Sequence, residues 1–268
     1  MKTLKYILKR VGIAIPQLIG ITVAVFLLIR LMPADPVARL LGMFSTEDAY
    51  RLASGKLGLD KSIPEQFWIY AKGMMRGDLG TSWVTGEPIT KELRQFFPIT
   101  LELILLAFVG TLLVAIPLGM ITALRPGGFW DRFALVWGLF AGAQPEFWWG
   151  LVFSFLLYYK AGWFPAPLGR IGSMVTLPPK VTGMLSVDSI IAGNWPALKS
   201  FIAHAFLPIL TFFFILSGPF VKMTRQSMVN VLKSDFMMYA HASGLKGGRV
   251  VMYALRNAIK PVVTLVGI

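Results

Sequence analysis

The sequence predicts an all-α fold, a polytopic bundle of transmembrane helices, on three observations. Of its 268 residues, 56% are hydrophobic and 15% are charged, and the mean hydropathy is +0.67. A soluble core of this size cannot bury that much apolar surface, so the composition is typical of a membrane protein. Several apolar stretches reach the roughly 20 residues that a helix needs to cross about 30 Å of hydrocarbon. The basic residues collect in short segments between those stretches, as they do in multi-pass membrane proteins.

Four complete spans are predicted, all in one transmembrane domain that covers the chain. The first covers about residues 11–32, where Pro16 is tolerable because neighbouring helices and water satisfy the freed backbone groups. Its length and its proline-broken exit distinguish it from a signal peptide. The other three spans cover about residues 99–124, 133–159 and 201–222.

A fifth span begins after Pro261, but only residues 262–268 follow it. That stretch is far too short to cross a bilayer. We therefore expect the sequence to be truncated at its C-terminus.

Two segments between the spans are long. The external loop 33–97 exceeds a simple connector, and the composition and spacing of Tyr50–Leu57 and Pro64–Met75 predict short helices within it. The second external segment, residues 160–200, is rich in Gly and Pro. We expect irregular structure there.

The basic balance of the chain, +13 with a pI near 10.1, has two explanations, nucleic-acid binding and membrane topology. The bases flank the spans, at the N-terminus, in residues 125–132 and in residues 222–260, where Asp235 is the single acid. Residues 33–97 instead balance acids against bases. The positive-inside rule therefore places the N-terminus and residues 225–260 in the cytoplasm. No basic stripe with interleaved aromatics lies outside the membrane flanks, so nucleic acid is not an expected partner.

One predicted cytoplasmic segment carries a recognisable motif, VLKSDFMMYAHASGL over residues 231–245, followed by RNAIKP over residues 256–261. This segment resembles the EAA loop of ABC importer permeases, in which short helices dock into a groove of the ATPase subunit. The match is partial, because Met238 and Tyr239 stand where the general motif has Glu and Ala. The resemblance implies an ATPase-coupling role for Asp235, Tyr239, Ala240, Ala242, Gly244 and Leu245. The alternative interpretation of the same segment is a basic amphipathic helix on anionic lipid.

Other motifs, in collinear order, extend the resemblance over most of the chain. They are Leu57-Gly58-Leu59-Asp60 with Gln66 and Tyr70, Gly77 to Ser82, Pro98 to Leu103 with Ile116 to Gly119, Pro145 to Trp148, and Gly162 to Pro165. Together they resemble the membrane-spanning subunits of the dipeptide/oligopeptide (and nickel) permease family. The resemblance implies an inner-membrane ABC importer permease with a second homologous permease subunit, two ATPase subunits and an external substrate-binding protein as partners. Members of this family carry peptides, nickel, glutathione or oligosaccharides, and the sequence does not separate these cargos.

The chain carries no motif for nucleotide or metal chemistry. No Gly-x-x-x-x-Gly-Lys-Ser/Thr loop is present to hold phosphates, so we expect the partner subunits to bind ATP and Mg. There is no cysteine, and His204 and His241 lack a second ligand at helical spacing, so no cofactor or metal site is predicted in this chain. A nucleophile elbow and a His-Glu-x-x-His pair are also absent, which argues against an enzyme.

Two carboxylates fall within the predicted spans. Glu102 lies near the outer end of the second span, where a structural role is the favoured interpretation. Glu146 lies deeper, beside the helix-breaking Pro145, and is a weak candidate for the substrate pathway. The rival function, a stand-alone channel or ion-coupled carrier, requires a continuous polar route, for which the spans offer few polar residues.

Overall fold

The computed structural model describes residues 2–31, 37, 46–56, 58–82 and 84–267. These residues are predominantly helical and contain no strand, only an isolated antiparallel bridge between Thr81 and Pro88. The all-α prediction is confirmed. The chain divides into two compact units, Met1–Gln95 and Phe96–Ile268, and helix α4 runs across the boundary between them.

Among its described residues, the first unit contains three complete helices and the start of a fourth. They are α1 (Lys2–Leu31), α2 (Glu47–Lys56), α3 (Ile63–Met75) and the first residues of α4 (Ile89–Leu124). Near the end of α1, the ring of Phe26 lies 5.3 Å from that of Phe67 and 5.7 Å from that of Tyr70, both on α3. This aromatic contact holds α3 against α1.

The second unit is organised around one long helix. Its elements after α4 are α5 (Phe129–Gly142), α6 (Glu146–Phe153), a π-helical segment (Ser154–Lys160), α7 (Leu185–Ile191), α8 (Trp195–Leu232), α9 (Asp235–Ala242) and α10 (Gly248–Val266). Helix α8 packs against α5, α6, α7, α9 and α10. It is therefore the axis of this unit.

Small residues allow α8 to approach its neighbours closely. A Cβ atom built on Gly218 of α8 would lie 3.0 Å from the Cα of Gly138 on α5. A Cβ atom on Gly119 of α4 would lie only 2.6 Å from the Cβ of Thr224 on α8. Helix pairs in membranes gain most of their stability from such close packing, so these glycines are requirements of the fold.

In the part of the chain that the structure describes, three helical stretches are long and apolar enough to cross a membrane: Leu4–Leu31, Ile89–Leu124 and Trp195–Leu232. They contain most of the first, second and fourth predicted spans. The predicted third span, 133–159, is divided among α5, α6 and the π-helical segment. The division falls at Pro145, which lacks a backbone N–H and precedes the first residue of α6.

The helix boundaries differ from the predictions in three places. Helix α4 begins at Ile89, inside the predicted external loop, and α10 begins at Gly248 and accommodates Pro261 within it. The 160–200 segment is irregular in its first part, but its second part contains α7 and the start of α8. The two loop helices predicted in residues 33–97 correspond to α2 and α3, whereas Leu57 and most of residues 32–45 lie outside the described residues.

Candidate functional site

The site predicted from the sequence is a short helix joined to α8 by Lys233 and Ser234. Ser234 occupies the N-cap position of α9, and Asp235 in the first turn complements the positive end of the helix dipole. The helix ends at Ala242, and Gly244 has a φ of +88°, a left-handed conformation that glycine adopts without strain. The sequence thus specifies one short helix followed by a sharp turn.

One side of α9 is anchored in the protein. Met237 is completely buried and belongs to an apolar cluster drawn from α4, α8, α9 and α10. The buried members of this cluster are Ala123, Met228, Met237, Val250, Ala254 and Ala258. Through Met237 and this cluster, α9 is packed against the end of α8.

The other side of α9 is exposed and largely apolar. Phe236, Met238 and Tyr239 are solvent-accessible on α9, and Met252 and Tyr253 continue the exposed surface on α10. The rings of Phe236 and Tyr253 are in edge-to-face contact at 6.1 Å. We call these five residues the α9 face. An exposed group of large apolar residues of this kind is typical of a protein-interaction site.

The six residues predicted for ATPase coupling lie in this one helix and its following turn. Asp235, Tyr239, Ala242 and Gly244 are exposed, and Tyr239 retains 76% of its accessible surface. Ala240 and Leu245 are partly buried, and Leu245 packs against the Met237 cluster. The prediction missed the anchor Met237 and the exposed Phe236. The run of four large apolar and aromatic residues at 236–239, in an otherwise polar and small-residue segment, was the available signal for both.

An ion pair between a buried carboxylate and a partly buried arginine, also missed from the sequence, lies on α8 near this site. Arg225, one turn before Met228 on α8, donates from Nε to Oδ1 and from Nη2 to Oδ2 of Asp131, the latter at 2.9 Å. Asp131, in the first turn of α5, is only 3% exposed and also accepts a 2.8 Å hydrogen bond from the amide of Gly127. The fork of the guanidinium matches the carboxylate, which makes this the strongest type of side-chain pair.

Glu102 is a structural anchor in this fold. Its carboxylate accepts hydrogen bonds from the Arg170 guanidinium at 2.6 Å and from the backbone amides of Leu185 and Ser186 at 3.0 and 2.6 Å. It is only 2% exposed. These bonds satisfy both carboxylate oxygens and cap the first turn of α7. The geometry agrees with the structural interpretation made from the sequence.

Glu146 is exposed at the first residue of α6 and has no ion pair or side-chain hydrogen bond among the described residues. Its neighbour Trp149 is buried, donates from Nε1 to the carbonyl of Ala141 at 3.2 Å, and lies 4.4 Å from the ring of Phe214 on α8. The aromatic contacts therefore join α6 to α5 and α8. They give Glu146 no partner in a polar pathway.

The histidines are engaged with their own helices. Nδ1 of His204 lies 2.7 Å from the Ser200 carbonyl, and Nδ1 of His241 lies 2.8 Å from the Met237 carbonyl. Within the part of the chain that the structure describes, no three His, Cys, Asp or Glu residues are grouped as metal ligands.

Comparisons with known proteins show the family of the chain. The model of the family "Binding-protein-dependent transport system inner membrane component" matches residues 115–268, and the model of its N-terminal region matches residues 3–104. The dipeptide transport system permease protein DppB of Escherichia coli K12 is 36% identical over 99% of this chain and 79% of its own length.

Two further relatives have the same extent. The di/tripeptide transport system permease protein DppB of Pseudomonas aeruginosa is 35% identical over 99% of this chain and 79% of its own length. The glutathione transport system permease protein GsiC of Pectobacterium atrosepticum is 29% identical over 99% and 77%. These relatives are transport permeases and not enzymes. The chain belongs to the family of binding-protein-dependent transport system inner membrane components, and it is a multi-pass permease subunit of an ABC importer.

Proposed function

We propose that this chain is a permease subunit of a peptide importer and that the α9 face receives its ATPase partner. The observation that carries the proposal is the combination of an exposed apolar face with a buried anchor on one short helix. Tyr239 and Met238 are presented outward, while Met237 on the same helix is fully buried among three other helices. Such a helix binds a partner on one side and transfers its movement on the other.

The coupling role is assigned to Asp235, Tyr239, Ala240, Ala242, Gly244 and Leu245. The exposed members contact the ATPase subunit, and Leu245 and Ala240 hold the helix and its turn against the core. ATP and Mg are bound by the ATPase subunits. Their closure favours one of two conformations of the permease, so that a central pathway changes from outward to inward access.

The full importer contains a second homologous permease subunit, two ATPase subunits and an external binding protein that delivers the cargo. The cargo class is a small peptide, since the permeases of E. coli and P. aeruginosa to which the chain is similar are named for dipeptide and di/tripeptide transport. The glutathione permease is a more distant relative with a peptide-like cargo. The binding protein is the component that selects among such peptides.

The importer lies in the inner membrane with the N-terminus of this chain in the cytoplasm. The support is the excess of Lys and Arg at the N-terminus and in residues 125–132 and 222–260. The α9 face, within the last of these ranges, is then on the side where ATP is available.

Site-specific crosslinking tests the proposal, because the sequence contains no cysteine that would react in the background. The Tyr239→Cys chain is expressed in the host with a purification tag, and its cysteine is then labelled with a photoreactive maleimide. Irradiation should join this chain to an ATPase subunit, identified by mass spectrometry, and the complex should also contain a second permease.

Met174→Cys is the matched control, since Met174 is 99% exposed and lies in the predicted external segment. It should give no crosslink to an ATPase, and it should react with an impermeant maleimide added outside the cell. A Tyr239→Cys chain that captures no ATPase, purified as a single species, would contradict the proposal and support the carrier alternative.

A further inference from the structure

Helix α8 contains a point of weakness between its two halves. Gly218 and Pro219 are adjacent within this 38-residue helix. Proline cannot donate the backbone hydrogen bond to the preceding turn, and glycine adds flexibility, so this pair is a preferred position for bending. Beyond it, residues 220–232 form an arm that carries Met228, the contact of α9. Bending at Gly218-Pro219 would absorb a displacement of α9 before it reached the rest of α8.

Helix α5 lies across this weak point and contacts α8 on both sides of it. On one side, Trp137 donates from Nε1 to Oγ of Ser217 at 2.9 Å, and the Gly138 backbone is in close contact with Gly218. On the arm side, Asp131 holds Arg225 in the bidentate ion pair. The intervals 131–138 and 218–225 are equal, about two helical turns or roughly 10.5 Å.

The ion pair is the polar contact that joins α5 to the arm, which also packs against α4 at Gly119 and against α10 at Val262. Asp131 is buried and is itself held by the amide of Gly127, so its position is set by the turn before α5. A buried carboxylate that meets both donors of a guanidinium fork resists both separation and rotation of the two helices. The other described contact between α5 and the arm is apolar, since Ala134 packs against the cluster that contains Phe220 and Val221, and such a contact does not fix orientation as a bidentate ion pair does.

We propose that α5 is a splint across the Gly218-Pro219 weak point of α8, and that Asp131 and Arg225 are positioning residues that attach it to the arm. Through this attachment, α8 moves as one body when α9 is displaced. The movement then reaches α6, whose Trp149 contacts Phe214 and the end of α5. This inference rests on the proposed function, because it concerns how movement of α9 reaches the membrane helices.

The test combines a transport assay with a distance measurement. The tagged importer is purified with its partners and reconstituted into proteoliposomes. In the presence of the binding protein, the number of ATP molecules hydrolysed per molecule of tritiated dialanine transported is measured. In Asp131→Asn, this ratio should rise about fivefold or more, the lower end of typical coupling between sites. Arg225→Lys, which keeps the charge but loses the fork, should give an intermediate rise. Arg132→Gln, at an exposed neighbour of Asp131, is the control and should leave the ratio unchanged.

A second substitution distinguishes the splint from a general contribution to stability. Pro219→Ala restores a hydrogen-bond donor at the weak point, so it should return the ratio of the Asp131→Asn importer towards that of the wild type. Pro208→Ala, at the other proline inside α8, should not do so. The inference would be overturned if the Asp131→Asn and wild-type importers hydrolysed the same amount of ATP per peptide transported. It would also be overturned if Pro219→Ala and Pro208→Ala restored this ratio equally in the Asp131→Asn importer.

Spin labels at Ile202→Cys and Lys233→Cys report bending of α8 in the chain itself. The two sites are accessible and flank the weak point. Their distance distribution should be narrow in the wild type, broad in Asp131→Asn and narrow again with Pro219→Ala. An unbroadened distribution in Asp131→Asn and Arg225→Lys would refute the splint. A wild-type importer that transports no peptide would contradict the proposed function alone, since the distances still decide the inference.

Discussion

Replacing Glu102 by Ala should release the 160–200 segment from α4. The substitution removes a buried carboxylate that accepts one hydrogen bond from Arg170 and two from the amides at the start of α7. Breaking a buried ion pair by removing one partner destabilises by about 3–5 kcal/mol. Since about 1.4 kcal/mol corresponds to a factor of ten, the opening of this segment should become about 10² to 4 × 10³ times more frequent.

Hydrogen exchange in lipid nanodiscs measures that opening. The peptide covering α7 should lose about two to three and a half decades of protection in Glu102→Ala, while peptides from the middle of α8 should exchange as in the wild type. Glu87→Gln is the control, because it removes an exposed pair with Lys91, whose worth is about 0–1 kcal/mol. Protection of α7 within a factor of three of the wild type would refute the reasoning that Glu102 anchors the segment.

Three further predictions concern packing and pH. Gly119→Val should lower stability by about 1–3 kcal/mol, seen as a lower melting temperature, because its Cβ would overlap Thr224; an unchanged value would contradict the close approach. Met237→Ala should cost about 2–5 kcal/mol and loosen α9, so proteolysis after Tyr239 should accelerate; wild-type resistance would argue against the anchor. Burial raises the pKa of Asp188, but hydrogen bonds from Thr182 outweigh it and the pKa is lowered overall. Its stabilisation is therefore present above the ordinary carboxyl pKa of about 3.9 and is lost as pH falls through the folded-state value. Asp188→Asn should flatten this acid dependence in thermal melts, and an unaltered slope would contradict the assignment.

The sequence was sufficient for those parts of the fold that depend on local composition. Long apolar runs locate α1, α4 and α8, because a spanning helix is specified by the hydropathy of its own residues. The sequence indicated an interruption at Pro145 but not the form that it takes, because a proline in a membrane helix produces either a kink or the start of a new helix. The start of α10 at Gly248 was missed because Pro261 was given the weight that it has in soluble helices.

The candidate site was predictable to the extent that it is contiguous in the sequence. The motif in residues 231–245 locates α9, and the left-handed Gly244 follows from the turn that the motif requires. The pairs that support the site are distant in the chain: Asp131 and Arg225 are 94 residues apart, and Glu102 and Arg170 are 68 residues apart. No local pattern indicates which charges will meet. An acid beside Arg132 in an otherwise basic turn was the one available signal for Asp131.

The anchoring role of Glu102 also imposes an order on the folding of the protein during its synthesis. During synthesis, its carboxylate leaves the ribosome 68 residues before Arg170, an interval of about 3 to 14 seconds at 5–20 residues per second. Throughout this interval Glu102 on α4 lacks the Arg170 partner, and an unpaired carboxylate is tolerable near the water interface and costly at the bilayer centre. The 160–200 segment can bind Glu102 only after α4 has been made. This segment therefore reaches its final structure later than α4, the helix that holds it.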